Sequence, residues 1–64
     1  MKISVIVPCF NEISTIEAII ENISSEKNYE KEIIVIDDGS TDGTLELLKN
    51  KLFKSIDHLI INVH

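Results

Sequence analysis

One cysteine, one proline, two glycines and six basic residues among 64 leave several classes of protein out of reach. Cys9 has no internal partner for a disulfide, and no cysteines and histidines fall at metal-ligand spacing, which excludes a disulfide-stapled module and a zinc module. Eleven acidic residues against six basic ones give a net charge of −5 and a pI near 4.7. Such a balance opposes binding to nucleic-acid phosphates or to an anionic membrane surface. No apolar run approaches the ~20 residues of a membrane span. The opening Met1 to Val7 is cut off by Pro8, Asn11 and Glu12, well short of a signal-peptide core. The expectation is a soluble, cytoplasmic chain with no nucleic-acid or membrane contact of its own.

What is present is globular: 44% of the residues are apolar, spread along the chain without low-complexity runs. Three short β-branched runs, Ile3 to Val7, Ile33 to Ile36 and Leu59 to Val63, lack strict alternation, as parallel strands covered on both faces do. Between the first two, Ile16, Ile19, Ile20 and Ile23 follow helical spacing, with Ser14 and Glu17 as a capping box, which predicts a helix over 15–24. Between the second and third, Leu45, Leu48 and Leu52 predict another helix behind the capping candidates Ser40, Thr41 and Asp42.

The fold class is therefore α/β: a Rossmann-like β-α-β-α-β unit of three parallel strands in order 3-2-1 with two helices. Two right-handed crossovers moving in one direction place both helices on the same face of the sheet. The other face is then bare, although Ile33 and Val35 on one side are matched by Ile34 and Ile36 on the other. Strands written for two covering layers, in a chain this short, are expected to be the N-terminal part, residues 1–64, of a larger domain that is here incomplete.

In open parallel sheets a ligand sits at the carboxyl ends of the strands. Pro8-Cys9-Phe10-Asn11-Glu12 follows the first strand and Asp37-Asp38-Gly39-Ser40-Thr41-Asp42-Gly43-Thr44 follows the second. Phe10 offers a ring against which a base can pack, Pro8 is rigid, Asn11 and Glu12 can bond a base or ribose, and Asp37 and Asp38 can accept hydrogen bonds from a base N–H or ribose hydroxyl. Plainer readings stand beside these: Asn11, Ser40 and Asp42 as helix caps, Phe10 as a core ring, Cys9 as a small apolar filler. Asp37 and Asp38 are harder to explain plainly, because adjacent like charges repel unless something compensates them. His58, His64 and Tyr29 have no partner at motif spacing. The missing glycines exclude a Gly-x-Gly-x-x-Gly dinucleotide site after the first strand, and no P-loop is present. A receiver domain would carry its acidic pair after the first strand, not the second.

The stretch from Ser4 to Glu12, followed by Glu32-Ile33-Ile34-Val35-Ile36-Asp37-Asp38-Gly39-Ser40-Thr41-Asp42-Gly43-Thr44, resembles the family 2 glycosyltransferases. Tyr29-Glu30-Lys31-Glu32 is similar to their polyprenyl-phosphate (dolichyl-phosphate) mannosyl- and glucosyltransferase branch. The resemblance implies the start of a GT-A fold that binds a nucleoside-diphosphate sugar and passes the sugar to an acceptor hydroxyl or phosphate. It implies that Pro8, Phe10, Glu12, Asp37 and Asp38 serve the nucleoside of the donor, with Phe10 standing where the family often has tyrosine. It also implies a divalent cation, Mg2+ or Mn2+, held by an Asp-x-Asp pair that has no counterpart up to His64, so no catalytic or metal-binding residue is assigned. Relatives of full length can act at a membrane face. Two readings stay open: the nucleoside-binding portion of an enzyme, or a non-catalytic remnant that binds nucleotide weakly or only associates with a partner. The partner expected for the bare sheet face is the remainder of the domain or a second copy.

Overall fold

The computed structural model describes residues 2–62, and within them the elements run β1 (Lys2–Cys9), α1 (Ile16–Ser25), β2 (Glu30–Asp37), α2 (Thr44–Asn50), a 3-10 turn (Phe53–Ser55) and β3 (His58–Ile61). All pairings are parallel and the order is β1-β2-β3, the expected 3-2-1 order read from the opposite edge. β3 starts one residue earlier than its apolar run, and Val63, its expected last residue, lies outside the described residues.

β1 and β2 pair in register from Lys2 with Glu30 to Cys9 with Asp37, and Ile34 to Asp37 pair with His58 to Ile61. Because side chains alternate across a strand, this register puts Val5, Val7, Cys9, Ile33, Val35 and Leu59 on one face. Those residues join Ile16, Ile20, Leu48 and Leu52 in a single cluster, with Ile23, Leu47 and Ile56 packed against it. Both helices therefore cover the same face. Lys51 at the end of α2 adds an ion pair to Glu17 of α1 at 2.9 Å. The opposite face carries Ile6, Pro8, Ile34, Ile36 and Ile60 with no element over it among the described residues, and Ile6 is 53% exposed. At its amino end a polar row crosses all three strands: the Ser4 hydroxyl donates to Glu32 at 2.8 Å, and Glu32 lies 3.4 Å from the His58 ring.

Three local expectations need correction. The Ser14/Glu17 capping box does not form. The residue before α1 is Thr15, with no side-chain cap, and its hydroxyl instead turns back to Glu12 Oε2 at 2.8 Å. Ile19 is 38% exposed rather than buried. At 100° per residue Ile16, Ile20 and Ile23 fall within about 60° of one another, while Ile19 sits on the flank of that stripe. α2 is also shorter than its leucine spacing: it ends at Asn50, and Leu52 reaches the core from a following turn in which its N–H bonds the Leu47 carbonyl at 3.0 Å.

Candidate functional site: the crevice at the carboxyl ends of β1 and β2

The last residue of β2, Asp37, has no solvent exposure, and Asp38 beside it is exposed. Their side chains thus separate, which relieves the repulsion that their adjacency suggests. Gly39, at φ 84°, makes the turn that brings Ser40 back over the buried carboxylate. Ser40 donates to it twice, from its amide at 3.1 Å and from its hydroxyl at 2.5 Å. A buried carboxylate needs such donors, and Asp37 therefore builds the floor of the crevice. The Asp38 amide continues the β1–β2 ladder by donating to the Cys9 carbonyl at 2.9 Å.

The two loops are fastened to each other. The Asn11 amide donates to Ser40 Oγ at 2.9 Å, and Asn11 Oδ1 accepts from the Thr41 amide at 2.8 Å. Further out, the Ile13 amide donates to Asp42 Oδ2 at 3.2 Å, while Asp42 Oδ1 accepts from the amide and the hydroxyl of Thr44. Asn11 and Ser40 are thus cross-loop partners rather than helix caps, whereas Asp42 both ties to the Ile13 amide and accepts from the amide of Thr44, the first residue of α2. The residue before α2 is Gly43, at φ 99°, where a side chain would meet only ordinary contact from Ile13 at 3.6 Å, so the conformation and not the space requires glycine. Spacing within one helix could not reveal these partners. The available signal was Asn11 itself, a residue type that tolerates a left-handed backbone and carries both a donor and an acceptor.

Around this clamp the structure places the remaining expected residues. Phe10 is 55% exposed, which removes the core-ring reading. Pro8 lies exposed at the end of β1 on the uncovered face, and Glu12 is exposed with one carboxylate oxygen on the Thr15 hydroxyl. Phe10, Glu12 and Asp38 are surface groups of the two fastened loops, whereas Asp37 lies beneath them. Cys9 is 3% exposed, and burial, followed by the nearby charges of Asp37, Glu12 and Asp42, pushes its thiol up to about 11. It stays a neutral filler at physiological pH. The Asp42 carboxyl is held below the usual carboxylate range, mainly by the Thr44 hydroxyl.

No group of three or more His, Cys, Asp or Glu side chains among the described residues is placed to hold a metal ion. The Asp37 oxygens are taken by Ser40, and those of Asp42 by Ile13 and Thr44. Asp37 and Asp42 therefore serve the loops themselves and are not left open to a cation. A cavity of about 320 Å³ opens at the opposite, amino end of the sheet between Lys27, Tyr29, Lys31 and Asp57. There Lys31 donates to the Glu26 carbonyl and Asp57 accepts from the Ile33 amide at 2.7 Å, so these two charged groups are used by the fold. No helix among the described residues is long and apolar enough to cross a membrane.

Three parallel strands in one sheet, with two helices on one face and two loops fastened together at the carboxyl ends of β1 and β2, make this an α/β protein with a Rossmann-like start. Within that class the chain belongs to glycosyl transferase family 2, whose family model matches residues 4–62. Among similar curated proteins is a poly-beta-1,6-N-acetyl-D-glucosamine synthase of Staphylococcus epidermidis, 41% identical over 59 residues, which cover 86% of this chain and 14% of that protein. A cholesterol galactosyltransferase of Borreliella burgdorferi is 48% identical over 46 residues, 72% of this chain and 13% of that protein. The Staphylococcus aureus poly-beta-1,6-N-acetyl-D-glucosamine synthase is 38% identical over 61 residues, 95% of this chain and 15% of that protein. The chain thus spans about a seventh of the length of the curated relatives it matches. No solved structure matches it.

Proposed function

We propose that residues 1–64 form the nucleoside-binding part of a glycosyltransferase domain that takes a nucleoside-diphosphate sugar and passes the sugar to an acceptor hydroxyl or phosphate. The observation that carries this reading is the pair of loops at the carboxyl ends of β1 and β2, fastened to each other and exposing Phe10, Glu12 and Asp38 together. Family membership and the glycosyltransferase names of the relatives support it.

The chemistry of the crevice says which end of the donor it would take. Glu12, Asp37, Asp38 and Asp42 make it acidic, which repels a diphosphate but suits the uncharged base and ribose, whose N–H and O–H groups need acceptors. On this reading the Phe10 ring packs on the base, and Glu12 and Asp38 accept from base and ribose. Pro8 stiffens the exit from β1, and Asp37 holds up the loop that carries Asp38. A divalent cation is expected from membership of family 2, and since the oxygens of Asp37 and Asp42 are already bonded, no step of the transfer is assigned to it. The uncovered sheet face is, on the same reading, where further polypeptide of the domain packs, or a second copy where none is supplied.

Titration of uridine and guanosine diphosphates into the isotopically labelled chain, with magnesium present and then chelated, tests the reading. Shifts are expected at Phe10 and Asp38, insensitive to magnesium. Affinity is expected on the order of millimolar, because a few hydrogen bonds and one ring contact must offset the cost of immobilising the ligand. Asp38→Asn is expected to weaken them. Tight, magnesium-dependent binding that Asp38→Asn leaves unchanged would place the nucleotide elsewhere and defeat the reading.

A further inference from the structure

We infer that Asn11 is the positioning residue of the crevice: without touching a ligand, it fixes the loop that carries Phe10 and Glu12 against the loop that carries Asp38. The inference rests on the nucleoside-binding reading above and assigns a role that the reading itself does not require.

Asn11 has a positive φ of 51°, a conformation that asparagine tolerates better than most residues. That conformation accompanies two hydrogen bonds made by one residue to partners 29 and 30 positions away, Ser40 Oγ and the Thr41 amide. The first bond continues inward, since Ser40 Oγ also donates to Asp37, a fully buried residue at the end of a paired strand. The path from the Asn11 amide through the Ser40 hydroxyl to the Asp37 carboxylate therefore refers the position of both loops to the sheet. Asn11 lies between Phe10 and Glu12 in sequence, and Ser40 and Thr41 follow Asp38 by two and three residues. The Asp38 amide on the Cys9 carbonyl joins the two loops at their roots, and beyond that ladder bond the course of each loop relative to the other is held at Asn11. The Ile13–Asp42 contact is a further tie, farther along both loops. If the clamp is opened, each loop must be ordered when the ligand arrives, and affinity falls by that cost.

Two substitutions separate the parts of this argument. Asn11→Gly accepts the backbone conformation but lacks Oδ1, and Asn11→Asp keeps an acceptor oxygen in a residue that also tolerates a left-handed backbone. In the labelled 64-residue chain, Asn11→Gly is expected to speed hydrogen exchange at the Thr41 amide about tenfold while the Val35 and Leu48 amides stay protected. It is expected to weaken uridine or guanosine diphosphate binding about three- to tenfold. Asn11→Asp should restore both towards the wild-type values. Unchanged Thr41 exchange in Asn11→Gly would overturn the clamp. Faster exchange with unchanged affinity, or no rescue by Asn11→Asp, would overturn the positioning role while leaving the nucleoside reading intact. If the wild-type chain shows no nucleotide shifts at all, the nucleoside reading fails and the positioning role fails with it.

Discussion

Val7 and Ile6 are neighbours in one strand, similar in chemistry, yet the first is 7% exposed and the second 53%. The same contrast runs across the sheet: Val35 is fully buried under two helices, and Ile60 on the other side is 47% exposed. What separates the faces is the handedness of the crossovers, which stacks α1 and α2 on one side, and not the residues themselves. Apolar content tells which side chains can be buried, whereas the connections decide which of them are.

Leu48→Ala offers the harshest way to break this comparison. Leu48 has no exposure and lies in the cluster that joins α2 to the sheet. Its truncation is expected to cost on the order of 2–5 kcal/mol, comparable with the whole stability of a domain this short. Urea denaturation followed by circular dichroism measures it. Ile6→Thr removes similar apolar bulk from the uncovered face but keeps the β-branched shape, and its effect should stay within about 0.5 kcal/mol. It should also reduce any self-association seen by sedimentation, because it breaks the Ile6–Ile34 apolar pair. Comparable losses from the two substitutions would mean that the uncovered face is covered in solution.

A change of pH gives the gentlest cut, because it acts at the strand ends and spares the apolar layer. The Asp42 carboxyl is lowered in the folded chain, first by its bond to the Thr44 hydroxyl and further by the Thr44 and Ile13 amides. A depressed carboxyl contributes stability that is present above its unfolded value and lost as pH falls through the folded one. Shifts of the Ile13 and Thr44 amides should therefore appear only below about pH 4, while Val35 remains flat. Asp42→Asn should abolish that dependence. A Val35 amide that moves together with Ile13 would show that loops and core loosen as one unit.

Much of the architecture was legible in the sequence for a physical reason. Strand order, the common side of both helices and the uncovered Ile6, Ile34, Ile36 and Ile60 follow from short connections and two-sided apolar strands. The family could likewise be read from the two strand-end motifs. Local capping was not legible: Ser14 and Glu17 have the spacing of a capping box, but Thr15 turns to Glu12 instead. Nor were the roles of Asn11, Ser40 and Asp42, because each has a partner in the other loop and only the folded sheet brings the loops together. Asp37 and Asp38 look equivalent in sequence, and the end of β2 makes one a buried support and the other a surface group.

The parallel register has a kinetic consequence. Ser4 meets Glu32 across 28 positions, and Ile33 meets Asp57 across 24. Among the described residues no two strands are joined by a tight hairpin, so every pairing must wait until a long stretch of chain has closed on itself, and that entropy is spent before any ladder bond repays it. Helix α1 can start on its own, but its apolar stripe has nothing to rest on until β1 and β2 have met. Encounters between distant segments are therefore expected to govern refolding and to make this short chain a slow folder for its size.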